Sequence, residues 1–237
     1  MARHGKNYKE AAKLVDKTRA YPPQEAIELA KQAAHAKFDE TVELHLQMGV
    51  DPRNASQQVR GVALMPHGLG KEVRVVVFAQ GEAERIASSA GADFVGSDEL
   101  IKKIEAGWLD FDIAMATPDM MGKVGKLGKV LGRKGLMPNP KSGTVVPADD
   151  LPRVIDDARK GRIEFKLDRT AIIHVPVGKV SFEADKLMDN LTAVIEAIVR
   201  AKPSGVKGQY VRTAYLASTM GPGINLDLKP TLSLSSS

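Results

Sequence analysis

The first part of the chain combines a helical and a strand-like spacing of apolar residues. Residues 24–34 place Ile27, Ala30 and Ala34 at helical spacing behind two prolines, which predicts a helix with one buried face. In residues 41–50, apolar residues alternate with polar ones or glycine, a period of two that predicts a strand with one wet face. A turn at residues 51–54 and a second strand over residues 59–65 follow. We expect the two strands to form an antiparallel pair in an α+β sheet.

The pattern changes at residues 73–79, VRVVVFA, which form an almost uninterrupted β-branched and aromatic run. Such a run predicts a strand that is buried on both faces. Helical and strand patterns then alternate, in the order helix 81–90, strand 92–95, helix 98–106, strand 112–116 and helix 151–160. This alternation predicts a small parallel, doubly wound sheet.

Antiparallel patterns return after Gly161. Strands are predicted over residues 162–167 and 171–175, on either side of a short turn. Asp185 opens a strongly amphipathic helix that Pro203 ends. Residues 209–218 form a last alternating strand, and the sequence from Leu226 onward is expected to be a frayed tail.

These changes predict a nested, mixed α/β architecture. Residues 1–67 and 161–237 would form one discontinuous α+β domain, and residues 68–160 an inserted, doubly wound, Rossmann-like α/β domain. Charge differs between the parts, because residues 1–67 carry +2 and residues 161–237 carry +3, whereas the insert has fourteen basic and fourteen acidic side chains. The two chain crossings, at residues 66–70 and 160–161, are expected to form a double hinge.

Composition excludes several classes of protein. The chain has 237 residues and no cysteine, which excludes disulfides, thiolate metal sites and a cysteine nucleophile and suits a reducing cytosol. No apolar run approaches the length of a membrane span, so no membrane partner is expected. The basic N-terminus lacks the apolar stretch of a secretory signal and is interpreted as a solvated arm. A pI of about 9.3 mildly favours an anionic partner.

Basic charge is concentrated in residues 121–143, here called the basic segment. Its six bases are Lys123, Lys126, Lys129, Arg133, Lys134 and Lys141, and no acidic residue lies between Met120 and Ala148. Glycines are interleaved with the bases, and apolar residues recur within the segment. A glycine-broken helix that packs on one side and presents bases to a polyanion is favoured over a flexible, solvated surface loop.

No enzyme signature accompanies the predicted parallel sheet. No Gly-Lys pair is followed by Ser or Thr, and no G-x-G-x-x-G follows the strand at residues 73–79. The five histidines are scattered without metal-ligand spacing, and no G-x-S-x-G motif is present. We therefore expect no enzymatic activity, cofactor or metal. The rival hypothesis is a nucleotide-dependent enzyme, for which ATP or GTP would raise the melting temperature.

Aromatic residues make up only 5% of the chain, which disfavours a single-strand binder with stacking platforms and is compatible with recognition of folded RNA. Phe38, between Lys37 and Asp39 at the entrance to the first strand, is the exception. It is either an RNA contact or a core residue. Residues 218–223, STMGPG, end the last strand and are either an RNA-facing turn or a simple strand terminator.

Several long stretches of the sequence, taken together, resemble a bacterial form of one family of ribosomal stalk proteins. The members of this family are the first-numbered proteins of the large ribosomal subunit. The resemblance covers nearly the whole sequence. It rests on AKFDETVELHLQMGVDPR (36–53), VRGVALMPHGLGK (59–71), GADFVG (91–96), the stretch 107–145 with its core LGRKGLMPNP (131–140), GRIEFKLDRTAIIHVPVGK (161–179) and STMGP (218–222).

The resemblance implies a two-domain protein that binds 23S rRNA at the mobile stalk of the large ribosomal subunit, near the exit-site tRNA, and assists release of deacylated tRNA. It also implies repression of translation through binding to own-operon mRNA. The implied RNA-binding positions lie on the discontinuous domain and are Lys37, Phe38, Thr41, Glu43, Asp168, Arg169, Thr170, Ser218, Thr219, Met220 and Gly221. The basic segment becomes a secondary RNA contact.

Overall fold

The computed structural model describes residues 5–206 and 208–234. The described chain divides after Gly70 and again after Arg162 into two compact units. Unit 1 combines the residues on both sides of the insertion, and unit 2 is the inserted segment Lys71–Arg162. The helices are α1 (Lys6–Lys13), α2 (Pro23–Ala33), α3 (Glu82–Ser89), α4 (Asp98–Glu105), α5 (Met121–Val124), α6 (Gly128–Lys134), α7 (Leu151–Arg159), α8 (Ala184–Arg200) and α9 (Leu228–Ser233). The strands are β1 (Thr41–Met48), β2 (Arg60–Leu64), β3 (Val75–Phe78), β4 (Phe94–Gly96), β5 (Ile113–Ala116), β6 (Arg162–Lys166), β7 (Ile172–Lys179), β8 (Val211–Ser218) and β9 (Ile224–Asn225).

The main sheet of unit 1 has the strand order β7-β1-β8-β9, and all three pairings are antiparallel. The alternation predicted for β1 is confirmed, because every second residue from Val42 to Met48 is buried. This apolar face packs with the buried sides of α2 and α8 in one core. The opposite face, which starts with Thr41 and Glu43 on β1, remains partly exposed and is called the open face.

The predicted pairing of the first two strands is wrong. β1 lies between β7 and β8, and β2 instead pairs with β6 in a separate two-stranded sheet. Gly61 of β2 lies against the ring of Phe165 on β6, where any added Cβ atom would overlap the ring. Burial of that aromatic ring favours the long-range pairing over a local hairpin.

Unit 2 contains the predicted parallel sheet, in the order β4-β3-β5. β3 is buried along its whole length. Val76 and Phe78 pack with α4, α5 and α6, whereas Val75 and Val77 pack with α3 and α7. Helices therefore cover both faces, and the mixed α/β, doubly wound class predicted from sequence is confirmed.

The basic segment folds as a succession of short helical pieces. α5 continues through a 3₁₀ turn at Gly125–Leu127 into α6, which ends at Gly135 in the left-handed conformation with φ 73°. Val124, Leu127 and Leu131 are buried in unit 2. The predicted glycine-broken helix with one packed side is confirmed.

Both ends of the described chain are more ordered than predicted. The N-terminal arm forms α1 and buries Ala11 and Val15. Near the C-terminus, Leu226 and Thr231 are buried and α9 begins at an Asp227 cap that accepts a hydrogen bond from Lys229 N. A frayed tail is therefore wrong as far as residue 234, and the last three residues lie outside the described part. Among the helices of residues 5–206 and 208–234, none combines the length and the hydrophobicity of a membrane span.

Candidate RNA interface

Two segments that are distant in sequence meet at one end of the main sheet of unit 1. Val42 lies opposite Ser218 in the β1–β8 register, so the residues before β1 and after β8 leave the sheet side by side. Thr41 N donates to Thr219 Oγ1 over 2.9 Å, and Thr219 Oγ1 donates to Thr41 O over 3.3 Å. This exchange of hydrogen bonds holds the β1 entrance against the turn after β8.

Large side chains of both segments face solvent at this end. Phe38 is 57% exposed and Met220 is 51% exposed, and Lys37 and Thr219 are exposed beside them. The exposure of Phe38 excludes core packing, which was its alternative interpretation. We call Lys37, Phe38, Thr41, Thr219 and Met220 the sheet-end surface.

Ser218 and Gly221 shape the turn from beneath. The Ser218 side chain is only 4% exposed, so it cannot present its hydroxyl to a ligand as the resemblance implies. Gly221 N donates to Ser218 O over 3.1 Å. A Cβ atom on Gly221 would overlap Ser218 Oγ, although the φ of Gly221 is not positive. A side chain at residue 221 would therefore displace the Ser218 hydroxyl, so Gly221→Val would perturb the turn as well as any contact with a ligand.

Glu40 is the important residue of this site that sequence reasoning missed. Its side chain is buried, and its carboxylate accepts backbone hydrogen bonds from His35, Ala36 and Met220. Burial alone would raise its pKa, but these hydrogen bonds together with the Ser218 hydroxyl hold the pKa of Glu40 below its ordinary value. Ser218 Oγ is buried close enough to lower the pKa of Glu40, but it forms no hydrogen bond of normal geometry with any group in the described chain.

Lys179 adds a second cation to this end of the sheet. Its Nζ donates to Thr41 Oγ1 over 2.9 Å and to Asp39 O over 3.3 Å. The register explains the contact, because Lys179 at the end of β7 lies opposite Thr41. Sequence alone gave no signal for this pairing, which links residues 138 positions apart.

Glu43 lies on the open face, next to a pair of histidines. His45 Nδ1 and His174 Nδ1 are 2.8 Å apart, and His45 Nε2 lies 3.9 Å from Glu43 Oε2. Burial and then the neighbouring His174 lower the pKa of His45, while Glu43 opposes the shift. Tyr215 lies opposite His45 on β8 and is partly exposed, so the open face is polar and aromatic without lysine or arginine at these positions.

The predicted turn at Asp168, Arg169 and Thr170 lies at the other end of this face. It precedes β7, whose first residue, Ile172, pairs with Gln47 near the end of β1. Six residues of extended strand separate that end from Thr41, which corresponds to about 20 Å. The structure therefore does not bring the turn together with the sheet-end surface.

Asp168 organises the turn internally. Its Oδ1 accepts from Thr170 N over 2.8 Å and from Ile172 N over 2.7 Å, and its Oδ2 accepts from Thr170 Oγ1 over 2.6 Å. Burial opposes ionisation, but these hydrogen bonds keep the pKa of Asp168 below its ordinary value. Arg169 and Thr170 remain exposed, so they are the members of the turn that can reach a ligand.

The basic segment presents charge in a different way. Lys123 Nζ forms an ion pair with Asp98 over 2.9 Å. The other five bases of the segment are exposed and form no ion pair with any described residue; they are Lys126, Lys129, Arg133, Lys134 and Lys141. Unpaired, exposed bases on a packed helical support suit the phosphates of a nucleic acid. Within the described ranges, no group of three or more His, Cys, Asp or Glu residues could hold a metal.

Comparison with known proteins agrees with this geometry. Residues 29–222 match the model of the Ribosomal protein L1p/L10e family. The chain is 68% identical over 229 residues to "Large ribosomal subunit protein uL1" of Dehalococcoides mccartyi, covering 97% of each chain. It is 56% identical over 233 residues to the protein of that name from Thermomicrobium roseum, covering 98% of this chain and 97% of the relative. The match to a ribosomal-protein family confirms both the resemblance seen in the sequence and the prediction that the chain is not an enzyme. The chain belongs to the ribosomal protein L1p/L10e family.

Proposed function

We propose that this chain is a structural component of the large ribosomal subunit in the bacterial cytoplasm and binds 23S rRNA at the mobile stalk, beside the exit site for tRNA. Its family and the names of its relatives support the ribosomal role. The sheet-end surface supports folded RNA as the ligand, because hydroxyl, aromatic, thioether and basic groups converge there. Folded RNA is recognised through shape, 2′-hydroxyls and phosphates rather than through groove-reading helices.

One observation carries this proposal. The exchange of hydrogen bonds between Thr41 and Thr219 puts Phe38 and Met220, two exposed large apolar side chains of the described chain, at the same sheet end. An exposed aromatic ring can stack on an unpaired base, which contributes about 1–3 kcal/mol. Lys37 and Lys179 supply phosphate attraction at the edge of the same surface.

The two units take different parts in this binding. The discontinuous domain, predicted from sequence as residues 1–67 and 161–237, forms the main RNA surface. The inserted domain, residues 68–160, contributes a secondary, electrostatic contact through the basic segment. Arg169 and Thr170 extend the main surface along the open face toward its far end.

Two further roles belong to this proposal, and the resemblance to the family supports them. At the stalk, the protein assists the release of deacylated tRNA from the exit site. It also represses translation of its own operon, because an mRNA leader that reproduces the folded rRNA site would fit the same preformed surface. Excess free protein would then occupy the leader only after the rRNA sites are filled.

The direct test measures affinity for an rRNA fragment of the stalk region with the Thr219→Val variant. Valine keeps the side-chain shape but removes the oxygen that accepts from Thr41 N. We therefore expect at least about fivefold weaker binding, as for the loss of one hydrogen bond worth about 1 kcal/mol. Thr192→Val is the matched control. Thr192 belongs to the same unit, and its hydroxyl donates to Met188 O within α8. Equal affinity of both variants and the unaltered protein would contradict the proposed surface.

The regulatory role has its own test. An RNA that carries the operon's leader should compete with the rRNA fragment for the protein, and Thr219→Val should weaken both complexes by a similar factor. A leader that binds without competing would show a different site. Ribosomes that lack the protein should release deacylated tRNA more slowly, and ribosomes with the protein restored should recover the rate.

A further inference from the structure

A single buried carboxylate joins the two segments of the sheet-end surface. Glu40 Oε1 accepts from His35 N over 2.9 Å and from Ala36 N over 2.7 Å, at the base of the loop that carries Phe38. Glu40 Oε2 accepts from Met220 N over 2.9 Å, within the turn after β8. The backbone of Glu40 is itself fixed, because Val180 N donates to Glu40 O over 2.9 Å.

The chemistry of this junction requires an ionised carboxylate. The side chain is 1% exposed, and no basic residue of the described chain contributes to its charge stabilisation. Its charge is stabilised by backbone N–H donors and by the nearby Ser218 hydroxyl, which favour the anion over the acid. Each carboxylate oxygen accepts hydrogen bonds only from N–H groups. In a glutamine of the same shape, the NH₂ group would face the N–H groups of one of the two segments and could not accept from them.

We propose that Glu40 is a positioning residue for RNA binding, whose carboxylate fixes the Phe38 loop and the Thr219–Met220 turn in one arrangement before RNA arrives. This inference rests on the proposed RNA-binding function of the sheet-end surface. Glu40 itself is too buried to touch RNA. Its contribution is preorganisation, which removes the cost of ordering two flexible segments at the moment of binding.

Positioning and simple electrostatics predict opposite results when Glu40 loses its charge. Removing a negative charge from an RNA-binding protein strengthens its attraction to phosphates. Removing the acceptor that holds the Met220 turn separates groups that must act together. A fall in affinity after neutralisation of Glu40 therefore cannot come from the change in net charge.

The experiment compares Glu40→Gln with the matched control Asp39→Asn. Asp39 is the adjacent carboxylate, and it accepts from Ser181 N over 3.1 Å and from Ser181 Oγ over 2.7 Å. It therefore anchors the Phe38 loop to Ser181 but does not join that loop to the turn after β8. Both variants gain one unit of positive charge. For Glu40→Gln we expect at least about tenfold weaker binding to the rRNA fragment, the effect of leaving polar groups unpaired. For Asp39→Asn we expect unchanged or slightly tighter binding.

Two further readouts separate positioning from general loss of structure. The slope of log affinity against log salt should stay unchanged in Glu40→Gln, because no phosphate contact is removed. Amide hydrogen exchange, followed by NMR, should accelerate at Met220 and at His35 or Ala36, but not in the core of α8. A purely structural role would instead accelerate exchange throughout unit 1.

Glu40→Asp provides the deciding variant if Glu40→Gln does not fold. Aspartate keeps an acceptor-only carboxylate but is one methylene shorter, so it cannot reach both segments, and weaker binding with faster exchange at Met220 is expected again. A folded Glu40 variant that binds with normal affinity would overturn the positioning role. If Thr219→Val also binds normally, the RNA surface itself is wrong; if Thr219→Val binds weakly, only the role of Glu40 is wrong.

Discussion

The sheet-end surface of unit 1 and the basic segment of unit 2 are built for different kinds of contact. In the first, Thr41 and Thr219 exchange hydrogen bonds across the two segments, and the buried Glu40 accepts a further hydrogen bond from Met220 N. In the second, five exposed bases have no ion-pair partner among the described residues. A hydrogen-bonded surface with few charges can discriminate between RNA shapes, whereas free cations attract any phosphate backbone. One ligand can therefore be held through specificity in one unit and through charge in the other.

Loss of the Phe38 ring should produce the largest effect. We expect Phe38→Ala to weaken binding to the rRNA fragment by about 1–3 kcal/mol, roughly 5- to 150-fold, as for other lost base–aromatic stacks. Because Phe38 is exposed, stability should hardly change. Phe94→Ala, at an exposed phenylalanine of unit 2, is the control and should bind normally. Comparable loss in both variants would remove the distinction between the units.

Removal of unit 2 should have a smaller effect on specific binding. A chain in which residues 71–161 are replaced by a short glycine linker keeps the core of unit 1, since the clusters around β1 and β3 share no residue. We expect cooperative unfolding, an rRNA affinity within about tenfold of the intact chain and a smaller salt slope. Urea denaturation and filter binding check these outcomes. Non-cooperative unfolding would mean that unit 1 depends on the insert.

Neutralising part of the basic segment should have a weaker effect still. Replacing Lys126, Lys129 and Arg133 with glutamine should reduce the salt slope by roughly 0.7–0.9 for each phosphate contact that is lost. Lys123 is left intact because Asp98 already pairs with it. The matched control replaces three exposed bases elsewhere in unit 2, and these are Arg85, Lys102 and Lys103. If both triple variants change the slope equally, the basic segment has no special role.

The smallest predicted effect concerns pH and the histidine pair of the open face. The pKa of His45 is lowered in the folded protein, so the unfolded chain binds more protons around its ordinary pKa of about 6.5. The free energy of unfolding should therefore fall as pH drops through this range. The carboxylate of Glu40 has a lowered pKa and loses its contribution only at more acidic pH. Urea titrations at about pH 7.5 and 5.5 should differ less for His45→Gln than for the unaltered chain.

Local patterns predicted the elements well and their partners poorly. The alternation in β1 and the amphipathic pattern of α8 each reflect one buried face, and the apolar run of β3 reflects burial on both faces. Sequence periodicity records such burial directly. The pairing of β2 was wrong because it depends on Phe165, about a hundred residues away, and no local pattern shows which strand buries that ring. The sequence did not predict that α9 is an ordered helix, because α9 depends on the burial of Leu226 and Thr231 within unit 1.

The candidate site shows the same limit. Phe38 and the Ser218–Gly221 turn were found through unusual residues at strand ends and through resemblance to a family. Glu40 was not found, because nothing in the sequence distinguishes one buried carboxylate among the chain's 29 acidic residues. Its three N–H donors come from residues 4, 5 and 180 positions away. Only the antiparallel register of β1 and β8 brings the most distant donor to it.

The central claim is that unit 1 supplies specificity and unit 2 supplies charge. The most direct measurement is the ratio of affinity for the stalk rRNA fragment to affinity for a scrambled RNA of the same length and composition. Phe38→Ala should weaken binding to the stalk fragment but not to the scrambled RNA, so the ratio should fall by the same factor as the affinity for the stalk fragment. The triple variant of Lys126, Lys129 and Arg133 should weaken both complexes similarly and leave the ratio unchanged. A ratio that falls in the triple variant and stays constant in Phe38→Ala would contradict the account.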